Sequence, residues 1–154
     1  MEYLVVKWIH VVSSTILFGT GIGSAFYMLM AGWRGRPGDV HFVVRHVVIA
    51  DWLFTATAVV IQPVTGLWLA QAAGLPLSTP WIRWSLVLYF VAGACWLPVL
   101  WLQYRMRDIA RITSAAGGEL PAAFRTNFRA WFALGVPAFA ALMIVFWLMV
   151  AKPA

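Results

Sequence analysis

Four apolar stretches dominate this chain of 154 residues, running from about Leu4 to Ala31, Val44 to Leu69, Ile82 to Gln103 and Phe128 to Val150. Each reaches the roughly 20 residues that a helix needs to cross a hydrocarbon core. In lipid every backbone N–H and C=O must find its partner within the segment, so open runs of this length fold as transmembrane helices. Composition agrees, with 63% hydrophobic and 10% charged residues, too few charges to cover a water-soluble surface when soluble domains carry roughly 25%. The ten Trp and ten Phe exclude a disordered chain, which needs low hydrophobicity and few aromatics. The expectation is an all-α, integral membrane four-helix bundle forming a single transmembrane domain over residues 1–154.

Turn signals fall between the spans: Gly-Arg-Pro-Gly at 35 to 38, Leu-Pro-Leu-Ser-Thr-Pro at 75 to 80, and a Gly-Gly-containing segment from 115 to 121 that interrupts the longest loop. The first apolar run is much longer than the roughly 7–15 residues of a signal-peptide core and has no convincing cleavage site after it, so it reads as the first span. Arg34, Arg36 and Arg45 lie in the first loop and Arg105, Arg107, Arg111, Arg125 and Arg129 in the third, leaving Lys7, Arg83 and Lys152 on the other side. The positive-inside rule then puts these loops in the cytoplasm of a bacterial inner membrane and both termini on the outer, periplasmic side. The net charge of +6 is thus an orientation signal and does not mark a nucleic-acid binder. Trp8, Trp81, Trp84 and Trp147 fall towards the outer interface and Trp33 and Trp131 towards the inner one, as an aromatic belt requires.

Polar side chains within the spans are where function concentrates. At 100° per residue, Tyr3, His10, Ser14, Leu17, Gly21, Ser24 and Met28 form one stripe of the first span, expected to face the bundle interior. Gly19 and Gly23 point the opposite way with GxxxG spacing, the pattern of a close helix interface such as one between subunits. On the second span Asp51, Thr55, Ala58, Gln62 and Thr65 share a stripe, whereas His46 lies on another face. A carboxylate at the depth of Asp51 must be paired or protonated, and Arg45 or an arginine of the third loop is the candidate partner. The third span aligns Ser85, Tyr89, Ala92, Trp96, Val99 and Gln103.

His41 reads as a solvated loop residue. His10, on the small and polar face of a membrane helix, needs a hydrogen bond or a metal, and a helical bundle is a standard setting for a histidine that holds haem iron. His10 and His46 differ in depth by something like 20 Å, from ~1.5 Å rise per residue, too far apart to share one iron. Arg45 beside His46 could neutralise porphyrin propionates. The single cysteine, Cys95, forms no intramolecular disulfide. No nucleophile elbow, phosphate loop, metalloprotease helix or CxxC motif occurs, so any chemistry is expected to be redox and carried by a cofactor.

The runs Lys7-Trp-Ile-His10, Gly19-Thr-Gly-Ile-Gly23-Ser-Ala-Phe-Tyr, Arg45-His46-Val-Val-Ile-Ala-Asp51-Trp-Leu-Phe-Thr, Gln62-Pro-Val-Thr-Gly66-Leu-Trp and Cys95-Trp-Leu-Pro-Val, followed by Leu102-Gln103, resemble the predicted integral membrane family catalogued as domain of unknown function 2269. The Lys-x-x-His opening followed by small residues is also similar to the bacterial membrane haem-b protoporphyrinogen oxidases and, less closely, to the membrane domain of copper-resistance proteins. That likeness implies a helical bundle with His10 in contact with haem b. The expected function is b-type haem binding in electron transfer or a haem-related oxidation. His10 and His46 are then the candidate metal ligands, Arg45 and Ser14 further cofactor contacts, and Asp51 and Gln62 the catalytic candidates, handling protons or a quinone or porphyrin partner. The alternatives are a non-catalytic anchor of a larger membrane complex, with homo-oligomers admitted, and a small transporter subunit.

Overall fold

The computed structural model describes residues 1–153 and is all-helical among them. Four long helices run up and down: α1 (Glu2–Arg34), α2 (Pro37–Ala72), α3 (Pro80–Ala115) and α4 (Ala122–Ala151). All four are long and apolar enough to cross a membrane, so the protein is a multi-pass integral membrane protein. At 1.5 Å per residue, the 36 residues of α3 extend about 54 Å, well past a hydrocarbon core about 30 Å thick.

The excess length lies at the end that carries the arginines. There the connections shrink to Gly35–Arg36, where Gly35 takes the left-handed conformation (φ 67°) that closes α1, and to residues 116–121. Arg45, Arg105, Arg107, Arg111, Arg125 and Arg129 are therefore helical, as is the half-buried His41, and not loop residues as expected from hydropathy. Arginine is a good helix former, and this end holds the densest packing. Met28 and Ala31 of α1, Val40, Val44, Val47 and Val48 of α2, Leu102, Met106 and Ala110 of α3, and Phe124 and Trp131 of α4 form one buried core. Trp131 is thus a core residue, 6% exposed, where the belt reading made it an interface anchor; Trp33 is 73% exposed.

Two irregularities shape α2. Asp51–Thr55 forms a π-helical turn in which the Ala56 N–H reaches back to the Asp51 carbonyl. Such a turn inserts one residue into the helical register, which rotates the downstream face by about 100°. Pro63, inside the same helix, lacks the N–H that would bond the carbonyl of Val59. That carbonyl is met instead by the hydroxyl of Tyr89, donated across from α3. This is how membrane helices tolerate proline, through a neighbour that satisfies the freed group. The phenol thereby ties α3 to α2 near the middle of the bundle.

Candidate functional site

Between the packed arginine-rich end and the terminal end, the four helices enclose a cavity of about 480 Å³. Its walls are mostly apolar, and its polar groups come from the stripe on α3, the π turn of α2 and one serine of α1: Tyr89, Trp96, Gln103, Asp51, Thr55 and Ser24. Asp51 and Gln103 are 4% and 3% exposed. The Thr55 hydroxyl donates to Asp51 Oδ1 at 2.9 Å, and the Gln103 amide lies against the same carboxyl. Among the described residues the one ion pair joins Arg107 to Asp108 at 2.9 Å, so neither Arg45 nor an arginine of the α3–α4 hairpin pairs with Asp51. Two buried polar atoms on the cavity wall have no partner, the donor Trp96 Nε1 and the acceptor Gln103 Oε1. An unmet buried polar group costs about 1–3 kcal/mol, so this covered donor and acceptor gain by turning towards an occupant of the cavity that their side chains line.

The single stripe expected on α2 splits in two. Asp51 and Thr55 line the cavity, whereas Gln62 and Thr65 turn towards α1 and join His10. The π turn explains the split, because its extra residue rotates everything after Thr55 relative to Asp51. The second cluster is closely bonded. Thr65 donates its only hydroxyl proton to the Ile61 carbonyl at 2.7 Å, so the 2.7 Å contact between His10 Nδ1 and Thr65 Oγ1 has the imidazole as donor. Gln62 donates its amide to the His10 carbonyl at 2.7 Å and to the Ser13 hydroxyl. Gly66 lies beneath the ring, where an added Cβ would stand 3.1 Å from His10 Cε1. Ser13 is the buried serine of α1. Ser14 is half-buried and bonds its own helix at the Val11 carbonyl, 2.7 Å away.

His46 stands apart from both groups. It is exposed, donates from Nδ1 to the Phe42 carbonyl at 2.7 Å, and packs against the Phe42 ring with centroids 4.3 Å apart. It lines a shallow groove of about 370 Å³ between α1 and α2, together with Gly19, Gly23, Tyr27 and Phe54. Nothing in the chain lies within 4 Å of a Cβ added at Gly19 or Gly23, so the GxxxG face borders this open groove and makes no close helix contact within the chain. Arg45, the neighbour of His46, is exposed. Among the described residues no three His, Cys, Asp or Glu side chains gather closely enough to hold a metal ion.

A family model described as predicted integral membrane protein (DUF2269) matches residues 4–153. The chain belongs to the DUF2269 family. No curated protein and no solved structure matches it. Within this DUF2269 chain the sequence pattern marked Asp51, Gln62, His10 and His46 as polar groups at membrane depth, but Trp96 and Gln103 entered only as members of a helical stripe. Their signal was present in the spacing of Tyr89, Ala92, Trp96 and Gln103. What the spacing lacked was the knowledge that this stripe faces an open cavity.

Proposed function

We propose that this protein binds a quinone-class ligand in the central cavity and takes part in electron transfer in a bacterial inner membrane, with both termini periplasmic. The carrying observation is the pair of unmet groups on the cavity wall, the Trp96 N–H and the Gln103 carbonyl. A quinone carbonyl accepts from the first and a quinol hydroxyl donates to the second. Asp51, bonded by Thr55, stands on the same wall to exchange the proton that a quinone gains or loses with its electrons. A cavity of about 480 Å³ falls within the roughly 300–1,000 Å³ of small-molecule sites, which are mostly apolar with a few placed polar groups. Saturable binding of decylubiquinone to the purified protein, weakened at least tenfold by Trp96→Phe together with Gln103→Leu, is the expected result. Binding that is absent, or indifferent to both changes, overturns the reading.

A second reading, haem b, is favoured at one histidine. His46 donates Nδ1–H to a backbone carbonyl, the arrangement that fixes the tautomer of ligating histidines and leaves Nε2 free for metal. Its groove has glycines at positions 19 and 23, which let a flat ring approach the backbone. His10 also presents Nε2 as its free nitrogen, but it lines neither cavity and its ring is packed against Gly66. The fit therefore lies with His46, and Arg45 is the nearby cation for a propionate. Haem bound there would supply one-electron redox chemistry. A Soret band lost in His46→Ala and kept in His10→Ala supports this assignment, and the reverse pattern returns it to His10.

A further inference from the structure

Helices α1 and α4 close the bundle on one side, and their seam is pinned at two levels. At mid-length of α1, Phe18 stacks on Phe139 of α4 with centroids 4.9 Å apart and meets Phe146 edge-on at 5.3 Å. Towards the arginine-rich end, the Phe128 ring lies so close over Gly32 that no Cβ fits at that glycine unless the ring moves. Between these pins the seam is open. Ile22 of α1 and Phe132 and Val136 of α4 line the cavity and are 48%, 48% and 53% exposed, so the wall does not close over them and leaves an opening at this level. Gly21 and Gly135 flank the same gap, and nothing lies within 4 Å of a Cβ added at either.

We propose that this seam is a lateral portal through which the cavity receives the head of an alkyl-tailed quinone directly from the bilayer, its tail remaining between α1 and α4. The inference rests on the quinone reading of the cavity. Two further observations carry it. The portal lies near mid-length of both helices, so it opens onto hydrocarbon, where only a lipid-soluble ligand waits. The arginine-rich end offers no aqueous alternative, because Met28 and Met106, 2% and 0% exposed, fill it. The unmet polar groups of Trp96 and Gln103 belong to α3, whereas the portal residues belong to α1 and α4. A head bonded to α3 therefore points its opposite edge towards the seam.

The test compares decylubiquinone with the tail-free 2,3-dimethoxy-5-methyl-benzoquinone on the full chain in lipid–detergent micelles. Ile22→Trp and Val136→Trp narrow the portal at positions that are already half open to lipid. Association of decylubiquinone is expected to slow in both variants at least tenfold more than association of the tail-free quinone does. Should either variant fail to fold, Ile22→Cys in a Cys95→Ser background, reacted with a bulky thiol reagent after purification, gives the same obstruction on a folded protein. If neither quinone binds the parent protein, the reading of the cavity itself fails. If both bind and the obstructions slow neither, or slow both alike, the portal is overturned while the cavity reading stands. Release of co-purified phospholipid without any change in quinone kinetics likewise overturns it, by giving the seam to an acyl chain.

Discussion

The bond from Tyr89 to the Val59 carbonyl invites a quantitative test, because its existence follows from Pro63. Tyr89→Phe keeps the ring and removes the donor, which leaves the carbonyl that Pro63 freed with no partner. Such orphaned acceptors cost about 1–3 kcal/mol in soluble proteins. Interhelical bonds in membranes average about 0.6 and reach about 1.7 kcal/mol, since the unfolded chain in lipid also finds partners. The expected loss for Tyr89→Phe is therefore about 1 kcal/mol, roughly a fivefold shift in the unfolding equilibrium. The decisive comparison is made in a Pro63→Ala background, where the restored backbone N–H can bond Val59 and the phenol becomes dispensable. Reversible unfolding of the four proteins in mixed micelles gives the coupling energy, expected to be close to the whole loss. Independent sites add to within about 0.3–0.5 kcal/mol. Additivity at that level would show that the phenol does not act through the proline-freed carbonyl.

Three further outcomes follow from the packing. Gly93→Leu, at a cavity-lining position with nothing within 4 Å of the added Cβ, fills the space an occupant needs; decylubiquinone binding falls at least tenfold with the melting temperature held within a few degrees. Gly66→Ala brings a Cβ to 3.1 Å from His10 Cε1 and displaces the ring from Thr65, which costs about 0.5–1.5 kcal/mol if that hydrogen bond is lost and is read by thermal unfolding against a Gly93→Ala control. Gly19→Ala with Gly23→Ala leaves the monomer as stable as before, because a Cβ at either site meets nothing within 4 Å, and weakens any oligomer that uses this face, as size-exclusion chromatography with light scattering reports.

Hydropathy located every span, since length and apolarity are properties of the local chain. The helix ends were not legible, because hydropathy marks where lipid stops and the helices do not stop there. They continue through Arg105, Arg107 and Arg111 as one arm of a packed hairpin, held by the buried core to which Met106 and Phe124 both belong. The helical wheel found the inward faces of α2 and α3 but assumed an unbroken α register. A π turn depends on packing against neighbours, so the separation of Gln62 from Asp51 could not be read from the sequence. The wheel put Ser14 on the inward stripe of α1, whereas Ser13, about 100° round the helix, is the buried one and takes the Gln62 amide. Histidine depth was legible, because it needs only the rise per residue; the different surroundings of His10 and His46 required the folded bundle.

The core at the arginine-rich end, from Met28 and Val44 to Met106 and Phe124, holds the four helices together there like the rivet of a pair of tongs. Small rotations about that rivet move the parts beyond it, and the stretch of seam between Gly32 and the aromatic contacts of Phe18 at mid-length of α1 is where the blades part. A passing molecule would then need only a modest splay of α1 from α4, with the clamped end, and the arginines that it carries, staying still in the membrane face.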